Sequence, residues 1–230
     1  MADKSKLWYL ENFNLFSSLK QDSMMELNKL AQEKEIGKNQ PIYFPNEPSS
    51  SIFFLKTGRV KISRYSDDGK EIIMAFINPG EVFGEMSYFG EGERTDIAIS
   101  VDPSYICAIN KDEFARFIER NPALNLKLTK IFGLKLKSYS ERIEDLVFKD
   151  AKQRVISFLI KLSEENGKQV GDQIFVKPFL KHQDIADLTA CARQTVNDVL
   201  TDLREKSIID FDRKKLIIND TSKLKSFLKK

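Results

Sequence analysis

Between residues 41 and 109 the apolar positions come in short runs, and Gly, Pro or Asp interrupts them roughly every ten residues. Ile52-Phe53-Phe54-Leu55, Val60-Lys61-Ile62-Ser63, residues 72–77, Ile97-Ala98-Ile99-Ser100-Val101 and Tyr105-Ile106-Cys107-Ala108-Ile109 read as strands. Turns fall at Thr57-Gly58, Asp67-Asp68-Gly69 and Asn78-Pro79-Gly80. Short strands with such regular punctuation predict a sandwich or barrel. On either side the period lengthens: residues 19–31 have helical spacing, and residues 111–119 form a short helix that Asn121-Pro122 interrupts.

Residues 123–148 read as one long helix, with Leu128, Phe132, Leu136, Tyr139, Ile143 and Leu146 at steps of three and four. Such a stripe is either the seam of a parallel homodimer or one side of a helix packed on its own barrel, and the dimer is the favoured reading. Gly133 weakens this helix by about 1 kcal/mol relative to Ala. Further on, residues 183–205 describe two short helices meeting at a tight turn. Ile185, Ala186 and Leu188 fall on the inner face of the first; Val196, Val199, Leu200 and Leu203 fall on the inner face of the second. Arg193, Gln194 and Asn197 are left facing outward. Arg offers a fork to guanine, and Gln offers a donor and an acceptor to adenine.

The same segment could be a helical hairpin inside a larger core. The residues immediately after it favour DNA. Ile208-Ile209-Asp210-Phe211, a charged turn at Asp212-Arg213-Lys214-Lys215 and Leu216-Ile217-Ile218 predict a two-stranded hairpin with a basic tip. A helix-turn-helix continued by such a hairpin is a winged helix, whose wing reaches backbone phosphate. Residues 151–230 carry sixteen Lys and Arg against eleven Asp and Glu, whereas residues 1–150 carry twenty-one against twenty-three. The surplus is modest, and Asp187, Asp198 and Asp202 oppose phosphates wherever they face the duplex.

Composition narrows the classes. With 230 residues, 41% hydrophobic and 31% charged, the chain suits two soluble domains. It has no apolar run of the roughly 18 residues a membrane helix needs and no signal-peptide pattern at its start, so it is expected in the cytoplasm. The two cysteines, Cys107 and Cys191, lack metal-ligand spacing and are expected to be small buried hydrophobes. One histidine, His182, stands just before the helix pair, where it suits a phosphate or groove-edge contact. No nucleophile with a base, phosphate-binding Gly-Lys loop or metal carboxylate pair is recognisable, so no enzyme is expected.

One segment of the β region stands apart: Phe83-Gly84-Glu85-Met86-Ser87-Tyr88-Phe89-Gly90-Glu91-Gly92-Glu93-Arg94-Thr95. Its glycines free backbone amides, Glu85 can accept from a ribose hydroxyl, and Arg94 can fork onto phosphate. It resembles the phosphate-binding cassette of cyclic-nucleotide-binding domains. Barrel, cassette, long helix and winged helix-turn-helix, in that order, resemble the Crp/Fnr family of bacterial transcription regulators over essentially the whole chain.

The resemblance implies an α+β fold: a cyclic-nucleotide-binding-like β-roll (jelly roll) at residues 1–120, a long dimerisation helix and hinge at 121–150, and a winged helix-turn-helix at 151–230. It implies a homodimer on a palindromic operator, with RNA polymerase as a further partner. Gly84, Glu85, Met86, Arg94 and Thr95, with Tyr139 and Ser140 of the long helix, become effector contacts. His182, Arg193, Gln194, Thr195 and Asn197 become DNA contacts. No cofactor is required, and cyclic AMP is the candidate effector. Departures accompany the matches. Asp96 stands where the cassette usually has a small apolar residue, Glu93 precedes the arginine, and Tyr139 replaces a small hydroxyl residue. A carboxylate 4 Å from a phosphate repels it by about 4 kcal/mol at an effective dielectric near 20, unless Asp96 points away or pairs with Arg94. Such a pair would make the cassette a loop braced internally, with no nucleotide. Gln194 stands where Glu is frequent, and Asp198 where a further arginine reads bases, so the operator is expected to differ. Two cysteines cannot hold an iron–sulfur cluster, and no histidine lies near the barrel for haem. A ligand-binding regulatory module whose C-terminal helices contact protein is the competing class.

Overall fold

The computed structural model describes residues 14–17, 19–90 and 92–228. Glu91 of the cassette segment lies outside them, as does most of the chain before Leu15. The chain divides into two compact units, one ending at Leu136 and the other starting at Lys137.

The first unit is an antiparallel roll. Strands β1 (Gln32–Ile36), β2 (Pro41–Tyr43), β3 (Ser51–Tyr65), β4 (Glu71–Ile77), β5 (Val82–Phe83) and β6 (Ile97–Asn110) form one sheet in the order β1-β6-β3-β4, with β2 on β6 and β5 on β3. Alternation along the two longest strands explains why their sequences are continuously apolar. Phe53, Leu55, Ile106 and Ala108 point into the roll, while Ile52, Phe54, Cys107 and Ile109 point to the helices on the other face. Both faces are dry there.

Four short strands expected in the sequence prove to be two long ones. The Thr57-Gly58 turn is not a turn: β3 runs through it against β6, with register shifts between Leu55 and Val60. Gly58 sits at φ +89°, and a Cβ there would lie 2.2 Å from Ser104 Oγ and 2.6 Å from Pro103 O. Glycine here lets two strands bend around each other without separating, a bulge rather than a reversal. The expected turns at Asp68-Gly69 and Pro79-Gly80 are present.

Helix α1 (Gln21–Leu30) and helix α2 (Lys111–Glu119) cover the outer face of the sheet, the latter capped by Asn110 accepting from Asp112 N and Glu113 N. Helix α3 (Pro122–Phe148) starts with proline in its first turn, where a missing N–H is harmless. Its residues Leu124 and Leu128 are buried in the same core, and Ile131 and Phe132 pack against it. The stripe then changes character: Leu136 is 68% exposed and Ile143 61%, with Tyr139 and Leu146 also exposed. The first part of the helix is thus packed on its own roll, while the later positions of the stripe lie on an exposed face.

In the second unit, helix α4 (Ala151–Asn166) begins at a capping box in which Asp150 accepts from Gln153 N and the Gln153 side chain accepts from Asp150 N. Lys161 donates to Ser138 and Glu141, and Ser157 to Asp145, fastening the last turns of α3 to α4. Strands β7 (Gly167–Val170) and β8 (Gln173–Val176) come next, then helix α5 (His182–Thr189), helix α6 (Arg193–Glu205), strands β9 (Ile209–Phe211) and β10 (Leu216–Ile218), and helix α7 (Thr221–Ser226). The wing predicted at residues 208–218 is present, but it belongs to a four-stranded sheet ordered β7-β8-β10-β9. The β7–β8 hairpin turns at Gly171-Asp172, a signal available in the sequence that its polar flanks obscured.

Candidate nucleic-acid interface and effector cassette

Helix α6 owes its orientation to the four apolar side chains on its inner face: Val196, Val199, Leu200 and Leu203 are all buried. In α5, Ile185 and Ala186 are buried as expected, whereas Leu188 is only half-buried. Between the helices Ala190 adopts a left-handed conformation at φ +51°. Arg154 of α4 braces this turn, donating to the carbonyls of Thr189 at 2.9 Å and Ala190 at 3.0 Å, and to that of Lys149 at 3.1 Å. A non-glycine residue in that conformation is unfavourable unless its surroundings hold it, and the guanidinium does so.

The opposite face of α6 starts open. Arg193 and Gln194 are exposed, no side chain caps the helix, and its first turn carries no acid, so the positive end of its dipole is unopposed. Thr195 and Asn197 are half-buried. Asn197 is thus less outward than expected, because its carbonyl oxygen meets His182 Nδ1 across the two helices. The His182 ring in turn lies 5.5 Å from Phe211 of the wing and 6.3 Å from Phe179. One side chain thereby links the start of α5, the outer face of α6 and the base of the wing. At the wing tip Asp212 accepts from Lys214 N and Lys215 N, which holds its carboxyl below the usual range and leaves Arg213 and Lys214 outermost.

The acids expected to oppose phosphate are engaged. Asp202 binds Lys152 at 2.8 Å and Lys206 at 2.6 Å, and these bonds hold its carboxyl low. Asp187 accepts from Gln183 Nε2, and Asp198 from Gln194 Nε2 at 2.7 Å. Cys107 is buried as expected, while Cys191 is half-buried beside Arg154.

The cassette is ordered from beneath. Gly84 and Gly90, both left-handed, flank a 3-10 turn at Glu85–Phe89. A Cβ on Gly84 would lie 2.9 Å from the Phe53 ring and 3.0 Å from Arg94 Nη1, so the backbone rests directly on both. Arg94, expected to meet a ligand phosphate, is instead 3% exposed. Its Nη1 donates to Gly84 O at 2.9 Å, its Nη2 donates to Ser51 O, and its guanidinium carbon lies 4.4 Å from the centre of the Tyr43 ring. Tyr43 donates to Asp96 Oδ1 at 2.9 Å; burial and that carboxylate push its hydroxyl far above the ordinary range, so it stays protonated. Glu85, expected at a ribose, accepts from Lys135 Nζ at 2.6 Å. Thr95 is exposed and accepts from Arg64 Nη2 at 2.7 Å, and Met86 is 52% exposed. Tyr139 and Ser140 stand exposed on α3 in the second unit. Tyr43, Lys135 and Arg64 were missed: only Lys135, one helical turn before Tyr139, had a legible position.

As arranged, these groups do not fit a cyclic nucleotide. The phosphate partner is turned inward onto carbonyls, and the ribose carboxylate is held by a lysine. Among the described residues no group of His, Cys, Asp and Glu could hold a metal ion, and no helix is long and apolar enough to cross a membrane.

Residues 33–121 match the family model of the cyclic nucleotide-binding domain, and residues 153–227 that of the Crp-like helix-turn-helix domain. A CRP-like cAMP-activated global transcriptional regulator of Mycobacterium tuberculosis is 26% identical over 94% of this chain and 96% of its own length. The global nitrogen regulator of a Nostoc species is 30% identical over 79% of this chain and 82% of its own. Among solved structures, a CooA mutant from Carboxydothermus hydrogenoformans superposes with a TM-score of 0.82 at 26% identity, over 99% of this chain and 97% of that one.

Proposed function

The chain belongs to the Crp/Fnr family of transcription regulators, with a cyclic-nucleotide-binding fold and a DNA-binding helix-turn-helix, and from that premise we propose that it reads a two-fold symmetric operator as a homodimer through the outer face of α6. The observation that carries this reading is the division of α6 into a buried apolar face and an open N-terminal face bearing Arg193 and Gln194. Arg193 forks onto guanine O6 and N7; Thr195, Asn197 and His182 reach neighbouring base or phosphate atoms, and the wing tip meets the backbone. The dimer forms along α3, where Leu136, Tyr139, Ile143 and Leu146 repeat every three and four residues on an exposed face. RNA polymerase is the partner through which binding is turned into transcription; transcription by the purified polymerase from a template carrying the operator reads this out.

Operator binding by the Arg193→Ala protein tests the readout. Losing one bidentate base contact per half-site is expected to weaken specific binding by about 1–3 kcal/mol in each half, with nonspecific binding retained. Unchanged specificity would remove Arg193 from the interface. In the same assay cyclic AMP is expected to leave affinity unchanged, because Arg94 is engaged by the carbonyls of Gly84 and Ser51 and Glu85 by Lys135, so that the cassette serves as a brace for the roll. A rise of more than about tenfold, 1.4 kcal/mol, would restore the nucleotide to the site.

A further inference from the structure

We infer that Asp198 is a specificity-determining residue: by holding the amide of Gln194, it makes that side chain present an acceptor to the DNA. The inference rests on α6 being the reading helix. Gln194 and Asp198 stand one turn apart on its exposed side, with Gln194 Nε2 donating to Asp198 Oδ1 at 2.7 Å. A carboxylate can only accept, so the atom that meets it has to be the amide nitrogen. The usual ambiguity of an amide's orientation is thereby removed. Gln194 Oε1 is left directed away from Asp198 with its lone pairs free, and the i to i+4 spacing makes the contact one that the helix itself favours.

A free glutamine offers donor and acceptor in either order and so accommodates several base edges. With one of its two amide N–H groups taken by Asp198, Gln194 presents its oxygen and the remaining N–H in a fixed order, without a net charge at the duplex. The outward oxygen is complementary to the exocyclic amines of cytosine N4 and adenine N6, where adenine N7 also accepts the remaining N–H, and that oxygen opposes the carbonyl acceptors of guanine O6 and thymine O4. The base contacted by Gln194 is therefore an amine-bearing one, next to the base pair read by Arg193.

The experiment measures binding to operators that vary at the base pair contacted by Gln194, using the full-length wild-type, Gln194→Ala, Asp198→Ala and Asp198→Asn proteins. Loss of a preference in the Gln194→Ala protein locates that base pair. The wild type is expected to favour an amine-bearing base on the contacted strand by about tenfold. Asp198→Ala frees the amide, and the preference falls below about threefold. Asp198→Asn keeps a carbonyl that accepts from Gln194, and the preference survives. Both Asp198 variants remove one negative charge and so raise affinity for all sequences alike; a carboxylate acting only through its charge would leave their base preferences equal. The inference is overturned if Asp198→Ala keeps the wild-type preference, or if the wild type favours guanine or thymine at that position. Failure of the underlying reading looks different: the wild type then shows no preferred base pair at any position.

Discussion

Replacing Arg94 with alanine is expected to lower the stability of the barrel unit by about 3–5 kcal/mol, the range for losing two buried hydrogen bonds from a charged group. The guanidinium is almost wholly buried, and its loss removes the charged donor from the carbonyls of Gly84 and Ser51, which keep only the Ser87 side chain and backbone contacts. Each lost hydrogen bond from the charged group contributes about 1.5–3 kcal/mol, and the lost stacking on Tyr43 adds about 0.5–2 kcal/mol. The space under the left-handed Gly84 would then be empty, so the cassette loses its floor. Scanning calorimetry should show the barrel transition falling by more than about 8 °C while that of the DNA-binding unit holds. Lysine at the same position should recover little, since it has no fork to serve two carbonyls at once. A drop below about 2 °C would mean that Arg94 is not a brace. The cassette would then have to be read again as a site that presents its arginine to a ligand.

The second large effect concerns the long helix. Leu136 and Ile143 are one heptad apart, and Tyr139 and Leu146 form the alternating set, all on exposed helix surface. Replacing Leu136 and Ile143 together with glutamate removes four apolar side chains from a two-fold seam, each worth about 1.5–3 kcal/mol when buried, and sets like charges against each other. The expected result is a monomer at micromolar concentration by sedimentation, with helical content unchanged because neither side chain is buried within its own chain. Operator affinity should fall by at least about 100-fold, since the two half-sites are no longer held by one molecule. A variant that remains dimeric would place the dimer contact elsewhere on the chain.

How much of this was legible in the sequence depends on the range of the interactions involved. Periodicity placed α6 and its buried set, the wing and the long helix, because these features repeat within a few residues. The Thr57-Gly58 position misled, since glycine at positive φ serves a bulge as readily as a turn, and only the presence of β6 alongside, with Ser104 packed against Gly58, decides which. Arg94 misled for a related reason. Its type and position in the motif suggested a fork onto phosphate, with an internal pair to Asp96 as the alternative, whereas Tyr43, Ser51 and Phe53, forty or more positions earlier, close over it. The role of Asp198 was within reach, being a Gln and Asp at helical spacing. An acid near phosphate reads first as a charge, which hides its second capacity as an acceptor beside an amide.

The central claim is that the outer face of α6 recognises DNA sequence as part of a two-fold dimer. Selection from a random double-stranded DNA library with the purified full-length protein tests it most directly. The expected product is a palindromic site whose half-sites are centred about one helical turn, roughly 34 Å, apart, with a guanine in each half that the Arg193→Ala protein no longer selects. Recovery of no enriched sequence, with all duplexes bound equally, would contradict it.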